Sequence, residues 1–139
     1  MSQNTPEYGV NDTSYQAAGG LDGITALVNT FYGYMDSIPE AEKIRQQHNP
    51  DLSLSRTKLT YFLSGWLGGP RMYKENFGSI NIPGAHRHLN TTIEDRDAWL
   101  LCMQKAIDDQ PYENLFKSYL YTQLCVPANR IVQAGAKAV

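Results

Sequence analysis

Ile82-Pro83-Gly84-Ala85-His86-Arg87-His88-Leu89-Asn90-Thr91-Thr92-Ile93-Glu94-Asp95-Arg96-Asp97-Ala98-Trp99 changes character half-way along. Its first half is polar, broken by Pro83-Gly84, and carries His86 and His88; the only other histidine is His48. Its second half opens a helix. Thr91-x-x-Glu94 has the pattern of a capping box, and Trp99/Leu100, Met103 and Ala106/Ile107 recur at spacings of three and four. An imidazole can ligate a metal ion, but on so polar a stretch it is equally at home in solvent. Residues two apart on a helix point about 200° apart, so His86 and His88 cannot both face one partner.

Upstream, Gly68-Gly69-Pro70 is a strong stop signal. It ends a helix whose stripe is Leu59, Phe62/Leu63 and Trp66 and whose start Ser53 or Ser55 can cap. Residues 71–85 show little periodicity and read as a long structured loop, a feature usually tied to function in a small domain. Further back, Gly19-Gly20 precedes Ile24, Leu27/Val28, Phe31/Tyr32 and Met35, the spacing of one amphipathic helix or of two meeting near Thr30. Glu40 to Gln47 allows a short helical turn before Asn49-Pro50. Residues 1–18 are polar and read as a flexible extension, leaving 19–139 as the domain. Downstream, Asp108 to Gln110 ends a helix and Pro111 suits a first helical position. Leu115/Phe116, Tyr119/Leu120 and Leu124 form the last stripe, which Pro127 is expected to end or kink, with Ile131/Val132 in a further segment. No convincing strand alternation occurs, so the fold class is all-α.

At 139 residues, with 42% hydrophobic and 19% charged residues, the chain suits one globular domain with a single core. A net charge of −2 offers no basic footprint for nucleic acid. No apolar run has membrane-spanning length. The N-terminal residues lack a secretory pattern, so the expected location is cytoplasmic. Cys102 and Cys125 lack metal or redox spacing and read as reduced, mostly buried thiols. Nine tyrosines, four phenylalanines and two tryptophans raise the aromatic content to 11%. Phenols in apolar stripes need hydrogen-bond partners, either at a core rim or in a pocket that uses donors.

Taken together, the Gly19-Gly20 pair, Phe31-Tyr32, Gly68-Gly69-Pro70-Arg71-x-Tyr73, and His86 followed by Arg96-Asp97-Ala98-Trp99 resemble a group II truncated haemoglobin. The likeness spans residues 19 to about 125. It implies a truncated globin fold, a two-on-two helical sandwich around a haem (haem b), with the N-terminal extension outside it. It also implies that His86, ten residues before Arg96, is the proximal ligand of the iron, and that His88 lies at the solvent or propionate edge. A single histidine is enough to hold haem iron.

The resemblance distributes further roles. Tyr32, His48 and Trp99 would line the distal side and stabilise the ligand. His48 stands where the family commonly has tyrosine or phenylalanine. Ser55 would occupy the ligand gate, with Leu59 and Phe62 walling the pocket. Lys58 and Tyr73 would reach the haem propionates, and Leu89 would contact the cofactor. Ala85 replaces an arginine frequent in the family, a loss for which Arg87 could substitute.

Implied ligands are dioxygen, carbon monoxide and nitric oxide. Two donors to dioxygen, at roughly 0.5–1.5 kcal/mol each, would hold it about 10- to 100-fold longer. That suits redox chemistry, either nitric oxide detoxification or peroxidase-like turnover with an unidentified reductase, more than rapid delivery. The alternatives are oxygen transport, storage or sensing without turnover, and more remotely a helical interaction domain without haem. Tyr32 and His48 are also candidate ligands to ferric iron. A monomer or weak dimer is expected.

Overall fold

The computed structural model describes residues 7–78 and 91–137, with side chains described up to residue 133. These residues form helices α1 (Thr13–Ala17), α2 (Gly20–Ser37), α3 (Glu42–Gln46), α4 (Ser53–Trp66), α5 (Met72–Phe77), α6 (Ile93–Asp108) and α7 (Asn114–Lys137). A 3-10 turn, Pro39–Ala41, leads into α3. No strand occurs among the described residues, and no helix there is long and apolar enough to cross a membrane. Helix α2 packs on α4, α6 packs on α7, and α2 against α6 joins the two pairs. The buried stripes are the expected ones: Ile24, Leu27, Val28, Phe31, Tyr32 and Met35 from α2, and Cys102, Met103, Ala106 and Ile107 from α6. Phe116, Leu120 and Leu124 from α7 complete the core.

Helix α2 runs unbroken through Thr30, whose hydroxyl donates back to the Ala26 carbonyl at 2.9 Å. Helix α4 ends in a Schellman turn: Gly69 N–H reaches Ser64 O at 2.8 Å and Gly68 N–H reaches Gly65 O at 3.0 Å. Gly68 has φ +92°, and a Cβ there would collide with the carbonyl oxygen of Asn11. The stop signal therefore also admits the N-terminal segment against α4.

That segment differs from the flexible extension expected over 1–18. Ser14 and Ala18 are buried, and Tyr15 N–H bonds to Leu67 O at 3.0 Å. Tyr8 packs its ring 5.1 Å from Phe116 and 5.0 Å from Tyr119. Aromatic burial and these backbone bonds hold a stretch too polar to show a stripe.

Four further expectations are corrected. The start of the loop expected over 71–85 is helix α5, the remainder lying outside the described residues from 79. Neither Ser53 nor Ser55 caps α4; Asp51 instead accepts from Ser53 N–H at 2.9 Å. Pro111 precedes α7, which starts at Asn114. Pro127, expected to end or kink the last helix, does not end it: α7 runs on to Lys137, with Leu124 and Ala128 buried on either side.

The capping box of α6 sits one residue beyond its expected place. Thr92 Oγ1 accepts from Asp95 N–H, and an Asp95 carboxylate oxygen accepts from Thr92 N–H, both at 3.1 Å. The choice of Asp95 over Glu94 follows from burial and charge: Asp95 is buried and pairs with Lys43 of α3 at 3.2 Å. Desolvation would raise the Asp95 carboxyl pKa, but the Thr92 hydrogen bonds and Lys43 outweigh it and hold it below the ordinary 3.8. A carboxylate depressed in the folded state stabilises above its unfolded pKa and loses that contribution as pH falls through the folded value. Urea unfolding should therefore show Asp95→Asn less stable than the parent by about 1–2 kcal/mol at pH 7. The gap should narrow below about pH 4.

Candidate functional site

Phe31 is the centre of the site. It is fully buried on α2, with its ring 4.9 Å from Tyr32 and 5.1 Å from Trp99 of α6. Tyr32 in turn meets His48 edge-on at 5.9 Å, just beyond α3. The structure thus brings together the three side chains expected on the distal side.

Their hydrogen bonds define what each can offer. His48 Nδ1 lies 2.8 Å from the Ile44 carbonyl oxygen. A carbonyl only accepts, so Nδ1 carries the proton, and in the neutral ring Nε2 keeps its lone pair. In this state Nε2 is an acceptor or a metal ligand and not a donor. The Tyr32 hydroxyl donates to the backbone carbonyl of Ser55 at 3.5 Å, the long limit for such a bond, so redirecting it costs little. Burial pushes the Tyr32 phenol up to about 12, against the opposing pull of the Arg56 charge, so Tyr32 stays a donor.

Helix α4 supplies the adjoining wall. Thr60, Leu63 and Ser64 are buried, whereas Leu59, Phe62 and Trp66 are only partly buried on the core surface, as is Trp99. Phe62 stacks on Trp66 with centroids 6.2 Å apart. Lys58 and Tyr73, expected at the propionates, converge on a different group: the Lys58 ammonium sits 5.4 Å above the Phe77 ring, and the Tyr73 ring lies 5.1 Å from it. His86, His88, Ala85, Arg87 and Leu89 lie outside the described residues.

Arg56 is the charged neighbour that sequence reasoning passes over. It follows Ser55 directly, its Nε is buried, and that Nε has no hydrogen-bond partner among the described residues. The spacing to Leu59 and Thr60, three and four residues on, is the sequence signal of its half-buried position.

The chain matches the family model of the bacterial-like globins over residues 13–124. It is 33% identical over 118 residues to the group 2 truncated hemoglobin YjbI of Bacillus subtilis (strain 168), covering 85% of this chain and 86% of that one. Its fold is similar to the group II 2-on-2 hemoglobin of Agrobacterium tumefaciens, with TM-score 0.81, 32% identity, and coverage of 94% of this chain and 97% of the other. It is similar also to a truncated oxygen-avid haemoglobin from Bacillus subtilis, with TM-score 0.77, 33% identity, and coverage of 86% and 98%.

A raised phenol pKa is also a statement about stability. The neutral phenol is favoured by the fold, so the contribution is present below the ordinary value of 10.0 and is lost as pH rises towards 12. Tyr112, likewise raised to about 12 by burial, acts in the same window. Chemical unfolding at pH 8 and pH 11 should show the parent losing stability between them. Tyr32→Phe should reduce that loss by about 1–2 kcal/mol.

Proposed function

Because the chain belongs to the bacterial-like globin family as a group II truncated haemoglobin, we propose that its aromatic pocket is the distal side of a haem b site. The group-level reading, haem-based gas binding, follows from the family. The residues present suit such a group. Leu59, Phe62, Trp66 and Trp99 present a partly buried apolar surface on the core, the kind of wall a flat apolar cofactor would cover. When bound, the haem supplies an iron centre able to take dioxygen, carbon monoxide or nitric oxide.

In this reading His86 holds the iron from the proximal side. Support comes from the sequence, where it precedes α6 at the spacing of the family motif and is one of only three histidines. On the opposite face, Tyr32 is the principal donor. Its hydroxyl turns from the long Ser55 contact towards the ligand, and Phe31 keeps its ring in place. Trp99 adds an indole N–H, its only polar atom. Ser55, a small residue at the gate, would leave a lateral opening for ligand, while Leu59 and Phe62 would wall the pocket. Lys58 and Tyr73, which meet the Phe77 ring here, would by the family resemblance hold the cofactor's carboxylates. By the same resemblance Leu89 would contact the cofactor.

His48 plays a different part from the other two. With Nδ1–H committed to Ile44, its Nε2 lone pair would be the atom able to accept a hydrogen bond or to serve as a ligand to ferric iron. Two donors and one acceptor around a small ligand favour retention over quick release. The observation that carries the functional reading is this grouping of Tyr32, His48 and Trp99 about Phe31. The similarity to an oxygen-avid haemoglobin of Bacillus subtilis points the same way. Retention suits nitric oxide detoxification or peroxidase-like chemistry, supported by an electron donor of the cell, more than oxygen transport.

The purified protein should be coloured, with a carbon monoxide adduct spectrum after reduction. His86→Ala should lose haem or bind it at least about tenfold more weakly, whereas His88→Ala should retain it. A colourless protein that takes up no added haem would end the reading. Stopped-flow mixing of the oxygenated protein with nitric oxide should give rapid oxidation to the ferric form. Slow oxidation together with fast dioxygen release would instead favour storage or delivery.

A further inference from the structure

The charge of this chain is unevenly divided. Residues 52–93 hold five basic side chains, Arg56, Lys58, Arg71, Lys74 and Arg87, against one carboxylate, Glu75. The rest of the chain has seven basic and thirteen acidic residues, so a protein of net charge −2 keeps one positive sector beside an acidic remainder. The structure gathers part of that sector on α4 and α5. The two helices meet closely at Gly65, where a Cβ would lie 3.3 Å from Arg71 Cα. The Lys58 ammonium of α4 reaches the Phe77 ring of α5 at 5.4 Å, with the Tyr73 and Tyr61 rings 5.1 and 6.2 Å from it. Phe77 is 39% exposed. Arg71 and Lys74 are exposed too, and their spacing of three makes them neighbours at the start of α5.

No carboxylate balances these cations. The ion pairs among the described residues are Lys43 with Asp95, Arg45 with Asp36 and Arg96 with Asp97, and none involves α4 or α5. Residues 79–90, which lie outside the described residues, contain no aspartate or glutamate. A haem brings one pair of carboxylates, and in the reading above Lys58 and Tyr73 hold them. That leaves Arg71 and Lys74 without a carboxylate partner among the described residues. Like charges gathered on a surface repel one another, so the cluster does not serve the fold. Cations around an exposed aromatic ring have the composition of a protein interface, with an apolar anchor inside a charged rim. Tyr73 stands between Arg71 and Lys74 in the chain, so in the same reading this surface adjoins the carboxylate edge of the cofactor.

We infer that the α4–α5 surface around Phe77 is the docking site of an acidic one-electron carrier protein, with Arg71 and Lys74 as its steering charges. The inference rests on the haem reading and supplies the chemistry of the electron donor. Complementary charge speeds encounter and fixes orientation more than it raises affinity, which suits a partner that must leave after each delivery. In the step itself the carrier loses one electron and the ferric iron gains it; no bond is made or broken. A compact acidic partner fits better than an extended polyanion, which would run on to the acidic remainder of the chain.

Ferric haem-loaded protein is mixed by stopped flow with a reduced acidic ferredoxin under carbon monoxide, which traps the ferrous product. Parent is compared with the double variant Arg71→Glu with Lys74→Glu. A control, Lys105→Glu with Lys117→Glu, makes the same change in net charge on α6 and α7. Each protein is also titrated with oxidised ferredoxin by calorimetry, a reading independent of turnover. At low ionic strength the α5 reversal should slow reduction by about tenfold or more and weaken binding in parallel. The control should change either by less than about threefold. Added salt should slow the parent steeply and the α5 variant little. Photoreduced lumiflavin, small and neutral, should reduce all three at similar rates. If the α5 reversal does not fold, Arg71→Gln with Lys74→Gln replaces it, with a smaller slowing expected. Equal slowing by both reversals, or slowing by neither, overturns the inference. Parent binding to phosphatidylglycerol vesicles or duplex DNA but not to ferredoxin assigns the surface to a polyanion and overturns it too. A parent without a haem absorption band overturns the haem reading itself, and that outcome is visible before any carrier is added.

Discussion

Phe31 is the physical hinge of the molecule. Its ring is fully buried between α2 and α6 and touches both Tyr32 and Trp99. Neither polar aromatic can move without opening a gap around a side chain whose removal would cost about 3–5 kcal/mol. Two groups from distant parts of the chain are thereby fixed against one wall, and the donors of the pocket come pre-ordered. The energy that orders them comes from core packing, so the hydroxyl and the indole are free to face a ligand.

Around that wall the polar groups divide into those already satisfied and those kept in reserve. Asp95 spends its carboxylate on the start of α6 and on Lys43, which secures the helix carrying Trp99. His48 commits Nδ1 to Ile44 and leaves Nε2 open. Tyr32 holds only a long contact to Ser55. Arg56 has an Nε with no partner among the described residues. Satisfied groups build the frame, and the incompletely bonded Tyr32 and His48 meet beside Phe31. That division is the usual mark of a binding pocket, where local stability is exchanged for reactivity.

Much of this was legible in the chain. The three-and-four spacing of Ile24, Leu27, Phe31 and Met35 and of Trp99, Met103 and Ala106 forecast α2 and α6, because burial of one stripe is a local property of sequence. Glycines 68 and 69 announced the end of α4 for a reason that holds in the structure, positive φ at Gly68. What escaped depends on partners far along the chain. The capping box settled on Asp95 because Lys43, 52 residues earlier, supplies the counter-charge. Helix α1 is too short to show periodicity; Leu67 holds it at Tyr15, and Phe116 and Tyr119 hold Tyr8 ahead of it. Pro127 promised an end or a kink, and α7 does not end there but continues to Lys137. In the site, residue types suggested Tyr32, His48 and Trp99; the bonded face of His48 and the open Nε of Arg56 emerge only from three-dimensional neighbours.

Cys102 lies in the same core as Phe31, fully buried, and burial pushes its thiol up to about 11. At pH 7 only about one molecule in ten thousand would carry the thiolate, the form that reacts with oxidants and nitrosating agents. Packing that excludes water from the interior thus also shields this sulfur from the species the pocket is proposed to admit. In a cell exposed to such species, that burial is a form of durability, because it slows thiolate-dependent damage at this sulfur.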